Sequence, residues 1–297
     1  MATPPFPSAV GVWWTSDTFP ITEVRHAAGE LEELGYGSLW FGEAAGKEAL
    51  TQAGALLAAT QRLRVGTGIA NIHARDAMAA EAGGRTLLAQ HPGRFLLGLG
   101  VSHGPLVQHR SGTYEKPLAT MRDYLARMDA VSDKIEPGSG RPPRLLAALG
   151  PKMLELSRTA ADGAHPYLVT PEQTARTREA VGPDKMVVVE QGIAVTTDRE
   201  TALRRAHTHL DTYSTLPNYR NSWLRQGFTE DDLARGGSDR LAEALVVWGR
   251  TEDIVARVRA HLDAGADHVL VQVLGDKQTD DPRPALRELA PALAAAP

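Results

Sequence analysis

Eight short apolar runs separated by helical patterns predict an α/β protein folded as a (β/α)8 TIM barrel with an insertion after strand 7. The runs are Val10 to Trp14, Ser38 to Phe41, Arg64 to Ile69, Phe95 to Gly100, Arg144 to Ala148, His165 to Val169, Met186 to Val195 and His268 to Leu274. Each is short and apolar enough to be a buried parallel strand. Strand and helix alternate along all 297 residues without a compositional break, so a single domain over 1–297 fits better than a doubly wound sheet with a second domain. A strand, crossover helix and parallel strand also bring the loops after each strand to one face, where α/β proteins assemble their sites.

The elements follow in order. Between the first two strands Val24, Ala27, Leu31 and Leu34 recur at helical spacing; Leu118, Met121, Leu125 and Met128 do so after the fourth, and Ile254, Val258 and Leu262 before the eighth. Leu34-Gly35-Tyr36, Asp162-Gly163-Ala164 and Ala264-Gly265-Ala266 each place a glycine where a helix ends in a left-handed cap. The stretch from Arg62 to Gly104 reads as a β-loop-α-β unit with glycine-rich polar loops at one end. Thr170-Pro171-Glu172-Gln173 reads as a capping box, with Gln173 reaching back to the cap. After the seventh strand, residues about 198–248 exceed the repeat: a helix over 198–211, a loop rich in aromatics, prolines and glycines, then a helical stretch to Trp248. Tyr213, Tyr219, Trp223 and Phe228 make this insertion a lid or substrate wall, or an oligomer contact.

Composition narrows the function. A formal net charge of −4 with interspersed signs offers no basic stripe for nucleic acid. No apolar run approaches the roughly 20 residues a membrane span needs. With no cysteine, disulfides and thiolate chemistry are excluded. The start MATPPFPSAV lacks the basic and apolar segments of a signal peptide, so a cytoplasmic location is expected. His207 and His209, two apart on a helix, do not share a face, and no cluster has metal-ligand spacing. P-loop and dinucleotide fingerprints are absent.

The segments GYGSLWFGEAAG, VGTGIANIHARD, GRFLLGLGVSHGP, YEKPLATMRDYL and LAALGPKMLELS, in that order, resemble the luciferase-like flavin or deazaflavin oxidoreductases. The likeness is greatest to the actinobacterial-type branch predicted to use coenzyme F420, and it extends through NYRNSWLRQGF to DHVLVQVLG. It implies a cofactor across the carboxyl ends of the strands, a small-molecule substrate and a homodimer. It implies, too, a non-prolyl cis peptide near Gly68-Ile69 backing the cofactor ring. FMN, with oxygen-dependent monooxygenase chemistry, is the alternative; a non-catalytic cofactor- or partner-binding barrel is a third reading.

The candidate residues each have a chemical reason. Gly68 and Ile69 sit in a strand-end bulge, and Asn71 just beyond offers an amide to the cofactor. Ser102, His103 and Gly104 end the fourth strand with a hydroxyl, an imidazole and a close backbone approach. His103 is the candidate proton carrier, although several relatives have a glutamate there. Gly150, Lys152 and Met153 open a helix after strand five and suit a phosphate, Lys152 and Met153 supplying free amides. Glu43 is the second catalytic candidate; relatives follow this acid with a histidine, whereas this chain has Ala44. Alternation sends one of Trp13 and Trp14 into the barrel mouth and the other toward the helices. Trp13, Trp14, His165, Tyr219 and Trp223 are the candidate substrate contacts; Tyr167 and Gln191 also stand near the site.

Overall fold

The computed structural model describes residues 6–110, 112–132, 134–135 and 140–295. Along them run β1 (Val10–Trp13), α1 (Ile21–Glu33), β2 (Ser38–Phe41), α2 (Ala49–Ala58), β3 (Arg64–Thr67), β4 (Ala70–Asn71), α3 (Ala77–Gln90) and β5 (Phe95–Gly100). Next come α4 (Gly104–His109), α5 (Pro117–Ser132), β6 (Arg144–Leu146), α6 (Pro151–Ala160), β7 (Gly163–Ala164), α7 (Pro171–Val181) and β8 (Met186–Val195). The chain finishes with α8 (Arg199–Tyr213), α9 (Pro217–Arg225), α10 (Asp239–Leu245), β9 (Val246–Gly249), α11 (Thr251–Asp263), β10 (His268–Val273) and α12 (Arg283–Ala294).

Parallel pairings lead from β10 through β1, β2, β3, β5, β6 and β7 to β8, and β8 pairs β10 to close the barrel. Alternation on the strands sorts the core. Val187 and Val189 of β8 face the helices, whereas Val188 joins Trp40, Leu96, Leu145 and Leu270 inside the barrel. Trp40 is fully buried there because Gly66 beside it has no side chain; a Cβ at Gly66 would lie 2.3 Å from the indole.

Several local expectations are corrected. The third strand is split, β3 and β4 flanking Gly68 and Ile69, and both halves pair with β5. The sixth strand is Gly163–Ala164, so residues 165–169, expected as strand, form an irregular segment over the barrel mouth. Gly35 and Gly265 adopt the left-handed caps (φ 90° and 97°), but Gly163 is a strand residue packed on Met186. Thr170 caps α7 by accepting from the Gln173 amide at 3.4 Å; its own N–H donates to Gln226 instead of to Gln173. The expected helical stretch to Trp248 ends at Leu245, and Val246–Gly249 becomes β9, added to the far half of β8 beyond the two residues that β7 covers. No helix among the described residues is long and apolar enough to cross a membrane.

Candidate active site

The carboxyl ends of the barrel strands surround a cavity of about 580 Å³, within the range of small-molecule sites. One side is backbone. The Gly68–Ile69 peptide bond is cis. Gly68 N–H donates to the Phe41 carbonyl (2.7 Å), Gly68 O accepts from Trp13 Nε1 (3.1 Å), and Ile69 O accepts from Glu43 N–H (3.1 Å). The ends of β1 and β2 therefore fix this segment. Glu43 reinforces it from below: its buried carboxylate accepts from Asn71 N–H (2.8 Å) and Ala49 N–H (3.2 Å) and pairs with Arg75, which also reaches Glu48 at 2.5 Å. An acid held this way is a brace, with its oxygens already engaged.

The opposite side comes from the insertion. Tyr213 and Tyr219 pack edge to face, with ring centroids 4.8 Å apart, and both face Tyr167 from the loop after β7. The Tyr167 hydroxyl lies 2.8 Å from Gln272 Oε1 and 3.2 Å from His209 Nε2, and it accepts from the Tyr213 hydroxyl at 3.3 Å. Behind this layer Trp223, Phe228 and Leu233 are buried in the same apolar cluster. The insertion is thus packed onto the barrel as a wall.

Burial sets the charge states. His165 is pushed down to about 4 by burial, only partly opposed by its Nδ1 contact with the Val188 carbonyl (2.8 Å), and its Nε2 has no partner. Burial likewise lowers His103, whose Nδ1 is unpartnered and whose ring lies 5.8 Å from that of Tyr219. His209 is pushed to about 4 by the same cause. Below the phenols, burial raises Glu190 to about 8 against an opposing hydrogen bond from Leu168 N–H. At neutral pH the inner cavity is therefore lined by uncharged imidazoles and phenols.

Of the expected residues, Trp13, Glu43, Gly68, Ile69, Ser102, His103, Gly150, Met153, His165 and Tyr219 line this one cavity. Five do not. Trp14 turns toward the helices and packs on Phe19, its ring 5.0 Å away, as strand alternation requires. Asn71 is fully buried, its Oδ1 taken by His73 N–H (2.9 Å) and its amide nitrogen unpartnered. Gly104 packs toward Tyr114, and Lys152 is exposed outside the lining. Trp223 is buried behind Tyr219 and donates to the Leu168 carbonyl (3.1 Å). Met153 does line the cavity, but its amide is not free: it donates to Gly150 O at 3.0 Å.

Sequence reasoning missed the cation at this rim. Arg225 of α9 lines the cavity, donates to the Leu149 carbonyl (3.2 Å), and stands 3.6 Å from where a Gly150 Cβ would be. It also set aside His209 as one of two helical histidines; His207 does face outward to Asp239 (3.0 Å), while His209 turns in to Tyr167. Inward and outward positions two apart on a helix were a usable signal.

Residues 6–268 match the family model described as luciferase-like monooxygenase. The 5,10-methylenetetrahydromethanopterin reductase of Methanolobus tindarius is 23% identical over 293 residues, covering 84% of this chain and 90% of that protein. A Mycobacterium tuberculosis protein named for the coenzyme F420-dependent oxidoreductases is 28% identical over 201 residues, 57% of each chain. Among solved structures, an F420-dependent secondary alcohol dehydrogenase in complex with an F420-acetone adduct shares the fold, with a TM-score of 0.76 at 13% identity over 96% of this chain and 99% of that one.

Proposed function

The chain belongs to the luciferase-like monooxygenase family, and on that premise we propose that it is an oxidoreductase moving hydride between coenzyme F420 and a small alcohol, carbonyl compound or activated alkene. The observation that carries this reading is the cavity itself, with a backbone face at Gly68–Ile69, an opposing phenolic wall and a single arginine at the rim. These residues fit a flat ring system with an anionic tail. Missing side chains at Gly42 and Gly150 leave space that nothing among the described residues approaches closer than 3.4 Å and 3.6 Å. Gly68, Ile69, Ser102, His103, Gly150 and Met153 would hold the cofactor, with Arg225 rather than Lys152 toward its tail. Bound there, a deazaflavin supplies a ring carbon that gives or accepts hydride.

The chain's own residues orient the reactants, exclude water and manage the proton. Trp13, His165 and Tyr219 contact the substrate; His165 Nδ1 faces a carbonyl, so its Nε2 is an acceptor. His103, neutral and lining the cavity at the mouth of β5, hydrogen-bonds the reacting oxygen and orients it. Glu43 positions the Gly68–Ile69 segment through Ile69 and Asn71. The protein assembles as a homodimer in the cytoplasm, and light scattering of the purified protein checks the dimer.

The test is anaerobic incubation of the F420-loaded protein with alcohols, followed by loss of oxidised-cofactor absorbance, and of the reduced form with ketones and enones. Turnover with one of these classes is expected. Tight cofactor binding without turnover by any of them would support a non-catalytic binding barrel. Formation of an oxygenated product with reduced FMN and dioxygen, and no turnover with F420, would assign the monooxygenase chemistry instead.

A further inference from the structure

We propose that Tyr213, Tyr167 and His209 form a proton relay from the cavity to a second, smaller opening beside α8. The inference rests on the hydride-transfer reading above, because hydride leaving a carbinol carbon requires the hydroxyl proton to leave as well.

Three observations place the relay. Tyr213 lines the cavity and donates to Tyr167 (3.3 Å), and among the described residues no group donates to Tyr213, so its lone pairs are open to a ligand hydroxyl. The Tyr167 hydroxyl stands within reach of two acceptors, Gln272 Oε1 at 2.8 Å and His209 Nε2 at 3.2 Å, and rotation about its C–O bond exchanges them. His209 borders both spaces: the main cavity, and a small pocket of about 30 Å³ bounded by Arg205, Thr208, Gln272 and Asp280. Trp13, Thr15 and Gln278 also border both spaces, and His209 is the acid-base group among these four shared residues.

The surrounding charges suit this role. Arg205 is held by Asp276 at 3.1 Å. Glu190, under the phenols, has one oxygen on Leu168 N–H and the other unpartnered, so it offers no competing hydrogen-bonded route. Burial keeps His209 and both phenols uncharged at neutral pH, so a concerted shift leaves no charge stranded between them.

In alcohol oxidation the substrate C–H bond breaks, its electron pair leaves as hydride to the oxidised deazaflavin, and the C=O bond forms. The hydroxyl proton passes to Tyr213 oxygen while the Tyr213 proton moves to Tyr167 and that of Tyr167 to His209 Nε2. The imidazolium then releases its Nδ1 proton to water in the small pocket. The alcohol is oxidised by two electrons, the deazaflavin is reduced by two, and one proton reaches solvent. Carbonyl reduction runs the same path backwards.

Tyr213→Phe, Tyr167→Phe and His209→Ala test the relay. Cofactor affinity is expected to stay within about 2-fold, while single-turnover hydride transfer slows by about 100-fold, the lower range for losing a positioned acid or base. In the wild type the rate against deuterium fraction should curve, reporting several protons in flight, and become linear in Tyr213→Phe. Imidazole added to His209→Ala should restore rate through the vacated space. Independently of any cofactor, 15N NMR of the unliganded protein should show the His209 Nε2 resonance moving in Tyr167→Phe and, less, in Tyr213→Phe. Unmoved His209 signals, or unaltered hydride transfer in all three variants, would overturn the relay. Coupled His209 signals in a protein that binds no deazaflavin would instead overturn the hydride-transfer reading and the relay's purpose with it.

Discussion

The two faces of the cavity are built on different principles. The Gly68–Ile69 side is backbone, held by the Phe41 carbonyl and Glu43 N–H at the end of β2 and by the Trp13 indole of β1, with the Glu43–Arg75 pair locking the loops beneath. The α8–α9 side is a stack of side chains, in which Tyr167 meets Gln272 105 residues away and Trp223 meets Leu168 across 55. The first arrangement gives a rigid surface suited to a ring that must lie in one place. The second gives a wall of hydroxyls and imidazoles that can handle protons and be re-cut for a different substrate.

The contrast is broken most severely at Arg75. Removing it in Arg75→Ala leaves Glu43, 1% exposed, as an uncompensated buried charge, and the expected loss is about 3–5 kcal/mol by urea denaturation. Glu43→Gln should cost less, and a proton-carrier role for Glu43 would instead show as lost turnover with stability intact.

Acid and base separate the faces next. His165 and His209 have folded values of about 4, below the ordinary 6.5, so their contribution to stability is present above pH 6.5 and is lost as pH falls through 4. Glu190 runs the other way: its value near 8 lies above the ordinary 4.5, so its contribution is present below pH 4.5 and is lost as pH rises through 8. Unfolding free energies measured from pH 4 to 9 should decline at both ends. Glu190→Gln should flatten the alkaline decline and His209→Gln the acid one; unchanged slopes would refute the neutral wall.

At the rim, Arg225→Gln should weaken F420 binding by about 10- to 100-fold, the scale of one hydrogen bond to a charged group, and less so at high salt. Lys152→Ala, exposed and outside the lining, should change affinity by less than about 2-fold, consistent with surface substitutions away from a site. Calorimetry on the two variants compares a local sequence signal with a tertiary one.

That comparison also explains what the sequence disclosed. The backbone face was legible because its signals are local: glycine spacing at Gly66 and Gly68, a strand-end acid at Glu43, and the opposite destinations of Trp13 and Trp14. The chain order of strands and helices was legible for the same reason. The phenolic wall was half legible, since Tyr213 and Tyr219 stood out as aromatics in an insertion but their partners came from distant strands. Lys152 drew notice because it sits beside Gly150 in sequence, whereas Arg225 reaches the same glycine only once α9 has packed on the barrel. Strand β9 was hidden because Val246–Gly249 extends a helical pattern until β8, running past the end of β7, leaves its edge open for pairing.

Titrating the purified protein with coenzyme F420 and FMN in parallel, by fluorescence and calorimetry, tests the proposed deazaflavin site most directly. Saturable binding of F420 with FMN far weaker is the predicted result. Preferential binding of FMN, or of neither, would contradict it.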